Sequence, residues 1–259
     1  MPKPSSLSLL SDRDRLILLQ GQTDMITVDV VQRRFFPDGS MEATRSAIRR
    51  LCGPDPQHCF LQPEPLDSRR VYYRLTPLAT KTLGICSKYA TPLKSLGRVR
   101  RYALSWFLHA EYPHRRLVFN LAECAGHFGI TGHRLPRHPF FLDTTTGQEK
   151  LGLILVDHNA QIRQIVHKTM KPLGRFLRHG WFNEYIMAGC FIVAVLTFSS
   201  TRQRALRLQL DHAIEKHLGR ALEPLRAHAP NKTRIEVLIS VIPGMEAVLA
   251  AKPRKENKE

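Results

Sequence analysis

The chain is short of acidic residues. Against 39 Lys and Arg it has only 22 Asp and Glu, a formal net charge of +17 over 259 residues and a pI near 10.2. That balance favours a polyanionic partner, most simply nucleic acid; an anionic membrane surface has the same sign, and charge alone does not choose. Cysteine is scarce too. Its five positions (Cys52, Cys59, Cys86, Cys124 and Cys190) are scattered, odd in number and form no C-x-x-C pair. With no secretory pattern at the N-terminus, the expectation is reduced thiols in a cytoplasmic protein. Long apolar runs are missing as well. The longest, Ile186 to Phe198, is about 13 residues where a membrane-spanning helix needs about 20, so it reads as a buried strand. No phosphate-cradling Gly loop, Ser-His-Asp arrangement or paired-Glu motif stands out, and the 12 His are spread widely.

What is present is enough for a core. Hydrophobic residues make up 43% of the chain, which has the length of one large domain or two ordinary ones. The excess charge is uneven: residues 1–90 hold 13 basic and 9 acidic residues, and residues 91–259 hold 26 and 13. The second part is therefore the more basic, and a nucleic-acid contact there stands beside the plainer reading of a solvated face.

Ser11 to Leu83 is the most legible stretch. Met1 to Leu10 reads as a flexible lead. Ser11 caps a first helix with Asp12 and Asp14 in its opening turn, and Leu16, Ile17 and Leu19 are expected to face inward. Thr27 caps a second helix, Val28 to Phe36, and Pro37-Asp38-Gly39-Ser40 is a turn that ends on a third cap. The third helix, Met41 to Leu51, sets Arg45, Arg49 and Arg50 against Ala43, Ala47, Ile48 and Leu51. After a break at Gly53 to Gln57, a ribbon is expected to pair Cys59–Gln62 with Arg70–Leu75, around a tip at Pro63–Ser68 beside Arg69 and Arg70. Thr76-Pro77 opens a last helix that Gly84 stops. This is the order of a winged helix-turn-helix, which puts one basic helix into the major groove with a hairpin beside it. On that reading Arg45 and Arg49 reach base edges, because Arg pairs bidentately with guanine, while Arg50, Arg69, Arg70 and Arg74 meet phosphates.

The runs SDRDRLILL, VVQRRFFPDGSMEATRSAIRRL and VYYRLTPLATKTLG resemble the N-terminal part of the replication-relaxation family, winged-helix proteins of plasmids, phages and integrative elements. The match covers about 75 residues; the Phe-Phe-Pro after the second helix and the YRLTP-x-A-x-x-x-LG segment carry most of it. The resemblance implies double-stranded DNA as partner, a role in transcription or at a replication or transfer origin, and a relaxase or replication initiator as a further partner. A homodimer is expected because two-fold pairing doubles a short site. The family's C-terminal part resembles a restriction-endonuclease-like α/β fold.

Beyond residue 85 the pattern is weaker. Ile85 to Gly97 reads as a linker, and Arg98 to Glu111 as a helix with a core or dimer stripe. Arg115 to Phe128 is ambiguous between strand and helix. Cys124, His127, His133 and His138 raise a zinc question, but the spacing fits no standard module and surface or phosphate-facing His is the plainer reading, so no cofactor is expected. Pro139–Asp143, Lys150–Asp157, Phe191–Phe198 and Ile235–Ile242 read as strands; Asn159–His179, with Pro172 inside it, and Thr201–Leu218 read as basic helices.

The expected architecture is thus α+β or α/β: a flexible lead (1–10), a winged helix-turn-helix (11–85), a linker (86–97), an α/β domain with a small central sheet (98–250) and a charged tail (251–259). A metal-dependent nuclease of the endonuclease-like type would place Mg²⁺ on strand-end carboxylates, here Asp143 and Asp157, with a Lys near the attacking water. The set is incomplete: the Glu expected two residues before Asp157 is Leu155, and no Lys follows. A degenerate fold used for dimerisation or DNA contact is the expectation, with a nuclease and a protein-interaction module as the alternatives.

Overall fold

The structure is a computed structural model that describes residues 10–54, 59–111, 115–119, 121–130 and 139–251. Most of the expected lead, part of the break after the third helix, His133, His138 and the tail after Ala251 lie outside the described residues. The architecture is mixed α and β, with a two-stranded ribbon and a five-stranded sheet. The chain divides into two compact units, residues 1–113 with 245–259, and residues 114–244.

The first unit opens with three capped helices, α1 (Asp12–Thr23), α2 (Val28–Phe35) and α3 (Met41–Cys52). Ser11, Thr27 and Ser40 each accept a backbone N–H of the first turn, as their positions predicted. The inward face of α1 differs from expectation. Ile17 and Leu18 are fully buried, while Leu16 and Leu19 are 53% and 40% exposed. Asp14 and Gln20 share the buried face, so apolar residues alone did not mark it.

The ribbon pairs β1 (Leu61–Pro65) with β2 (Val71–Leu75), antiparallel from Leu61↔Leu75 to Pro65↔Val71. Pro63 and Pro65 belong to the strand and not to the tip; β1 is an edge, where proline costs no ladder bond. The chain between α1 and α2 adds a bridge that the sequence pattern did not reveal: Ile26 faces Tyr73, and the Tyr73 N–H donates to the Ile26 carbonyl at 2.8 Å. Ile17, Leu18, Ile26, Val31, Ile48, Leu51, Leu61, Leu75 and Ala79 form the core beneath these elements. The short α4 (Pro77–Thr82) follows, capped by Thr76.

The segment read as a linker is docked. A 3-10 turn at Ser87–Ala90 leads to α5 (Ser95–Ser105), which runs on into a π-helical turn, Trp106–Ala110. This helix belongs to the first unit, and so does α10 (Met245–Ala250), at the far end of the chain. Polar contacts of α5 and its π-helical turn with the rest of this unit give the reason for α5. Ser105 Oγ accepts the Met25 N–H at 2.6 Å, Arg98 donates to the Pro65 carbonyl at 2.9 Å, and the Ala110 carbonyl accepts from Arg33 at 2.6 Å. The expected boundary at 97/98 therefore moves to 113/114.

In the second unit β3 (Arg116–Phe119) and α6 (Leu121–His127) both occur where strand and helix were the alternatives. The sheet order is β3-β4-β5-β6-β7, with β4 Phe140–Asp143, β5 Lys150–Val156, β6 Phe191–Thr197 and β7 Ile235–Val241. The first three strands form an antiparallel meander; β5, β6 and β7 run parallel. Every residue of β6 is buried, as a continuous apolar run in a doubly covered strand should be. The crossovers carry α7 (Ile162–His179), the short α8 (Asn183–Met187) and α9 (Ser200–His228). Pro172 neither splits nor ends α7. α9 continues ten residues past Leu218, through Gly219, because Leu222 beyond it is also buried.

Gly152 is required by its neighbour across the sheet. It pairs with Phe141, and a Cβ there would lie 2.0 Å from that ring. Gly152→Ala is expected to push Phe141 off its rotamer and lower unfolding stability by about 1–3 kcal/mol, measurable as a reduced urea midpoint with an unchanged slope.

Candidate nucleic-acid interface

The outward side of α3 carries Glu42, Ala43, Arg45, Ser46, Arg49 and Arg50, all exposed, while Thr44, Ala47, Ile48 and Leu51 face the core. Ser40 starts this helix by accepting the Ala43 N–H at 3.1 Å, and Gly53 ends it with φ at 61°. Arg45 and Arg49 have no packing role. Both lean on Glu42, Arg45 at 3.9 Å and Arg49 in closer contact, and their side chains stay 59% and 66% exposed. Such pairs on a helix surface are worth only about 0.3–0.5 kcal/mol, so a phosphate or a base edge displaces them readily.

The four arginines expected at phosphates differ in their contacts. Arg50 reaches back to α1, where its Nη2 lies 2.6 Å from Asp14 Oδ1, yet it remains 64% exposed. Arg69 is exposed, and among the described residues its side chain has no partner; only its backbone is held, donating to Asp67 Oδ1 at 2.8 Å. Arg70 and Arg74 have structural duties instead. Arg70 donates to Asp67 and to the Tyr102 hydroxyl (2.6 Å), with its guanidinium 4.9 Å from the centre of that ring, and so ties the ribbon tip to α5. Arg74 donates to Glu64 (2.7 Å), Gln62 (2.5 Å) and the Ala90 carbonyl (2.7 Å), and its side chain is 16% exposed. Both were expected to reach phosphates; here all three nitrogens of each guanidinium are already engaged by oxygen acceptors of the chain itself. Sequence reasoning also passed over Arg13 and Ser46. Ser46 lies one residue past Arg45 on the same exposed face, and Arg13 is exposed with its guanidinium 4.6 Å from the Phe36 ring centre.

The two carboxylates considered for a metal do not share a site. Asp143 ends β4 opposite Lys150, the first residue of β5, whereas Asp157 follows the last residue of β5. Seven strand residues separate the two ends, about 23 Å at strand rise, so one cation cannot meet both. Each carboxylate is also occupied. Arg116 Nε donates to Asp143 Oδ2 at 3.0 Å, with both residues buried, and the Thr145 N–H donates to Oδ1 at 2.8 Å. Asp157 is completely buried and is gripped by Nε and Nη2 of Arg202, by the Thr197 hydroxyl (3.0 Å) and by the Asn159 N–H (2.9 Å). Asp143 and Asp157, considered only for the nuclease alternative, form two separate structural ion pairs. In the zinc question, Cys124 is buried with its thiol pushed up to about 12 by burial, and His127 stacks on Phe119. Among the described residues, no three His, Cys, Asp or Glu side chains come together as metal ligands.

Comparison with protein-family models, with curated proteins and with solved structures gave no match to this chain. Among the described residues, no helix is long and apolar enough to cross a membrane.

At the ribbon tip, burial alone would raise the Asp67 pKa, but the Arg69 and Arg70 N–H groups and the Arg70 guanidinium outweigh it and hold the carboxyl below the ordinary Asp value. Asp143 is lowered in the same way: burial opposes, and the Thr145 donors and Arg116 prevail. A depressed pKa in the folded state gives stability that is complete above the unfolded value of about 3.9 and is lost as pH falls through the folded value, because the unfolded chain takes up the proton first. Urea midpoints should therefore fall below about pH 4. Asp67→Asn should lower the midpoint near neutrality and flatten that acid slope; an unchanged slope would count against the Asp67 contribution.

Proposed function

We propose that the protein is a sequence-specific double-stranded DNA-binding protein that reads base edges with α3. The observation that carries this reading is the exposed face of α3. Arg45, Arg49 and Arg50 stand there at four- and five-residue spacing, and Arg45 and Arg49 have no part in the core. The surrounding order supports it: a helix, a bridging residue at Ile26, two more helices and an antiparallel ribbon, the sequence of parts of a winged helix-turn-helix. In this arrangement α3 enters the major groove, Arg45 and Arg49 meet guanine edges, and Arg50 and the tip residue Arg69 meet phosphates. The net charge of +17 supplies sequence-independent affinity through counterion release.

The resemblance of residues 11–84 to replication-relaxation proteins supports a biological setting on a plasmid or other mobile element. There the protein acts as a transcriptional regulator or as an accessory factor at a replication or transfer origin, as a homodimer and beside a relaxase or initiator. A metal-dependent nuclease is not favoured, since its two carboxylates stand at opposite ends of β5 and each is already held by arginine.

The test is a DNA-binding titration over a range of salt, with genomic fragments in competition, with and without Mg²⁺. Tight retention of one fragment without cleavage is the expected outcome, and the position of that fragment distinguishes promoter from origin. Sequence-blind binding, or Mg²⁺-dependent cutting that survives purification, would sink the reading. Arg45→Ala and Arg49→Ala should each cost about 1–3 kcal/mol of preference for the retained fragment and leave binding to random duplex much less affected. Glu42→Gln should act in the opposite direction. It releases both arginines and removes a charge that phosphates repel, so affinity should rise about twofold to fivefold, the worth of an exposed ion pair. A fall in affinity would mean that Glu42 itself contacts the DNA.

A further inference from the structure

The second unit has a cationic surface of its own. α7 and α9 lie side by side, and a Cβ added at Gly174 of α7 would come 3.8 Å from Leu218 Cδ2 of α9. Along this seam runs an open groove of about 640 Å³, lined by Arg163, Val166, His167, Met170, Lys171, Gly174 and Arg178 of α7 and by His217 of α9. Its composition is one-sided. Three of its residues carry permanent positive charge, two are histidines, and no carboxylate lines it. Arg163, His167, Lys171, Arg178 and His217 are all exposed, whereas Val166, Met170 and Gly174 form a half-buried floor.

The cations are not spent on the fold. Elsewhere in the chain, arginines close on aspartates or carbonyls, as Arg116, Arg202 and Arg74 do. Here, among the described residues, the only side-chain bond of the set is Arg163 Nε to Gln161 Oε1 at 3.1 Å. Of the acids on the neighbouring stretch of α9, Glu215 is turned to Arg226, at 2.9 and 3.2 Å, and Asp211, also exposed, does not line the groove. Arg163, His167 and Lys171 follow one another at four-residue spacing, about 6 Å apart along the helix axis, and Arg178 extends the row to about 22 Å. A row of that length is too long for a single small anion. It suits a linear polyanion with charges at short, regular intervals, such as a nucleic-acid strand with one phosphate per 3.4 Å of rise.

We propose that the α7–α9 groove is a second nucleic-acid contact, which holds the phosphodiester backbone irrespective of base sequence. This goes beyond the reading of α3. The groove supplies affinity and salt dependence, and α3 supplies choice of site. The floor of Val166, Met170 and Gly174 gives the sugar edge an uncharged surface, with the cations above it at phosphate height.

The experiment replaces the three permanent charges together (Arg163→Ala, Lys171→Ala and Arg178→Ala) and measures binding of a labelled duplex of arbitrary sequence across a salt series. A control variant carries Lys168→Ala, Lys216→Ala and Arg220→Ala; these are equally exposed, lose the same charge and lie outside the groove. The groove variant should lower the slope of log affinity against log salt by about 2–3, and weaken binding about a hundredfold near 0.1 M salt and little near 1 M. The control should lower the slope by less than about 1. Equal effects of the two variants, or no effect of the groove variant, overturn the proposal. So does a groove variant that loses binding to phosphatidylserine vesicles while keeping its DNA affinity. Should the triple variant unfold by circular dichroism, Lys171→Glu alone provides the test, with Lys168→Glu as its control. Failure of the α3 reading is distinguishable: it would appear as no fragment preference at all, with the groove's salt slope intact.

Discussion

A carboxylate taken out of water must meet a cation or give up its charge, and much of this structure is arranged around that requirement. Asp14, Asp24, Asp143 and Asp157 are all buried, and each is met by arginine: Arg50, Arg34, Arg116 and Arg202 in turn. Asp24 also takes His109, at 3.0 Å. The links join elements remote in sequence: α3 to α1, the π-helical turn after α5 to the end of α1, β3 to β4, and the start of α9 to the end of β5. For the two pairs largely buried on both sides, Arg116–Asp143 and Arg202–Asp157, removing one partner strands the other at a cost of about 3–5 kcal/mol, so these pairs hold the register of elements that hydrophobic packing alone would leave free to slide.

The same rule separates the arginines into two populations. With 22 acids for 39 Lys and Arg, pairing cannot absorb the cations. Those near a buried oxygen become internal fixtures, as Arg70 and Arg74 do in the ribbon and Arg207 does where it bonds the Val237 carbonyl along β7. Arg45 and Arg49 on α3, and Arg163 and Arg178 on α7, bond no buried oxygen among the described residues and stay in solvent; Arg50, bonded to Asp14 and still 64% exposed, belongs to both populations. Functional surfaces in this protein are therefore recognised less by the presence of arginine than by arginine without an internal task.

The position of Asp157 shows how closely a structural pair can imitate a site. In an open α/β sheet, ligands gather at the carboxyl ends of the parallel strands, where Asp157 sits. Arg202 fills that place, bonding both carboxylate oxygens and the Ala160 carbonyl, and Thr197 closes it from β6. A strand-end aspartate in sequence carries no sign of whether a metal, a substrate or an arginine will face it; the guanidinium comes from a residue 45 positions away.

By itself the sequence determined most of the secondary structure. Helix caps at Ser11, Thr27, Ser40 and Thr76 act within three residues, and the apolar runs of β5 and β6 need no partner to be seen, so these were legible, as was the outward basic face of α3. Only the tertiary structure decided the rest. The Ile26–Tyr73 bridge, the docking of α5 and α10 in the first unit, the internal bonds of Arg70 and Arg74, and the separation of Asp143 from Asp157 all depend on contacts between residues far apart in the chain. Local propensity reports on neighbours within a turn or two. Which arginine meets which oxygen is set by how the strands register and the helices pack, and a sequence read in order does not contain that distance.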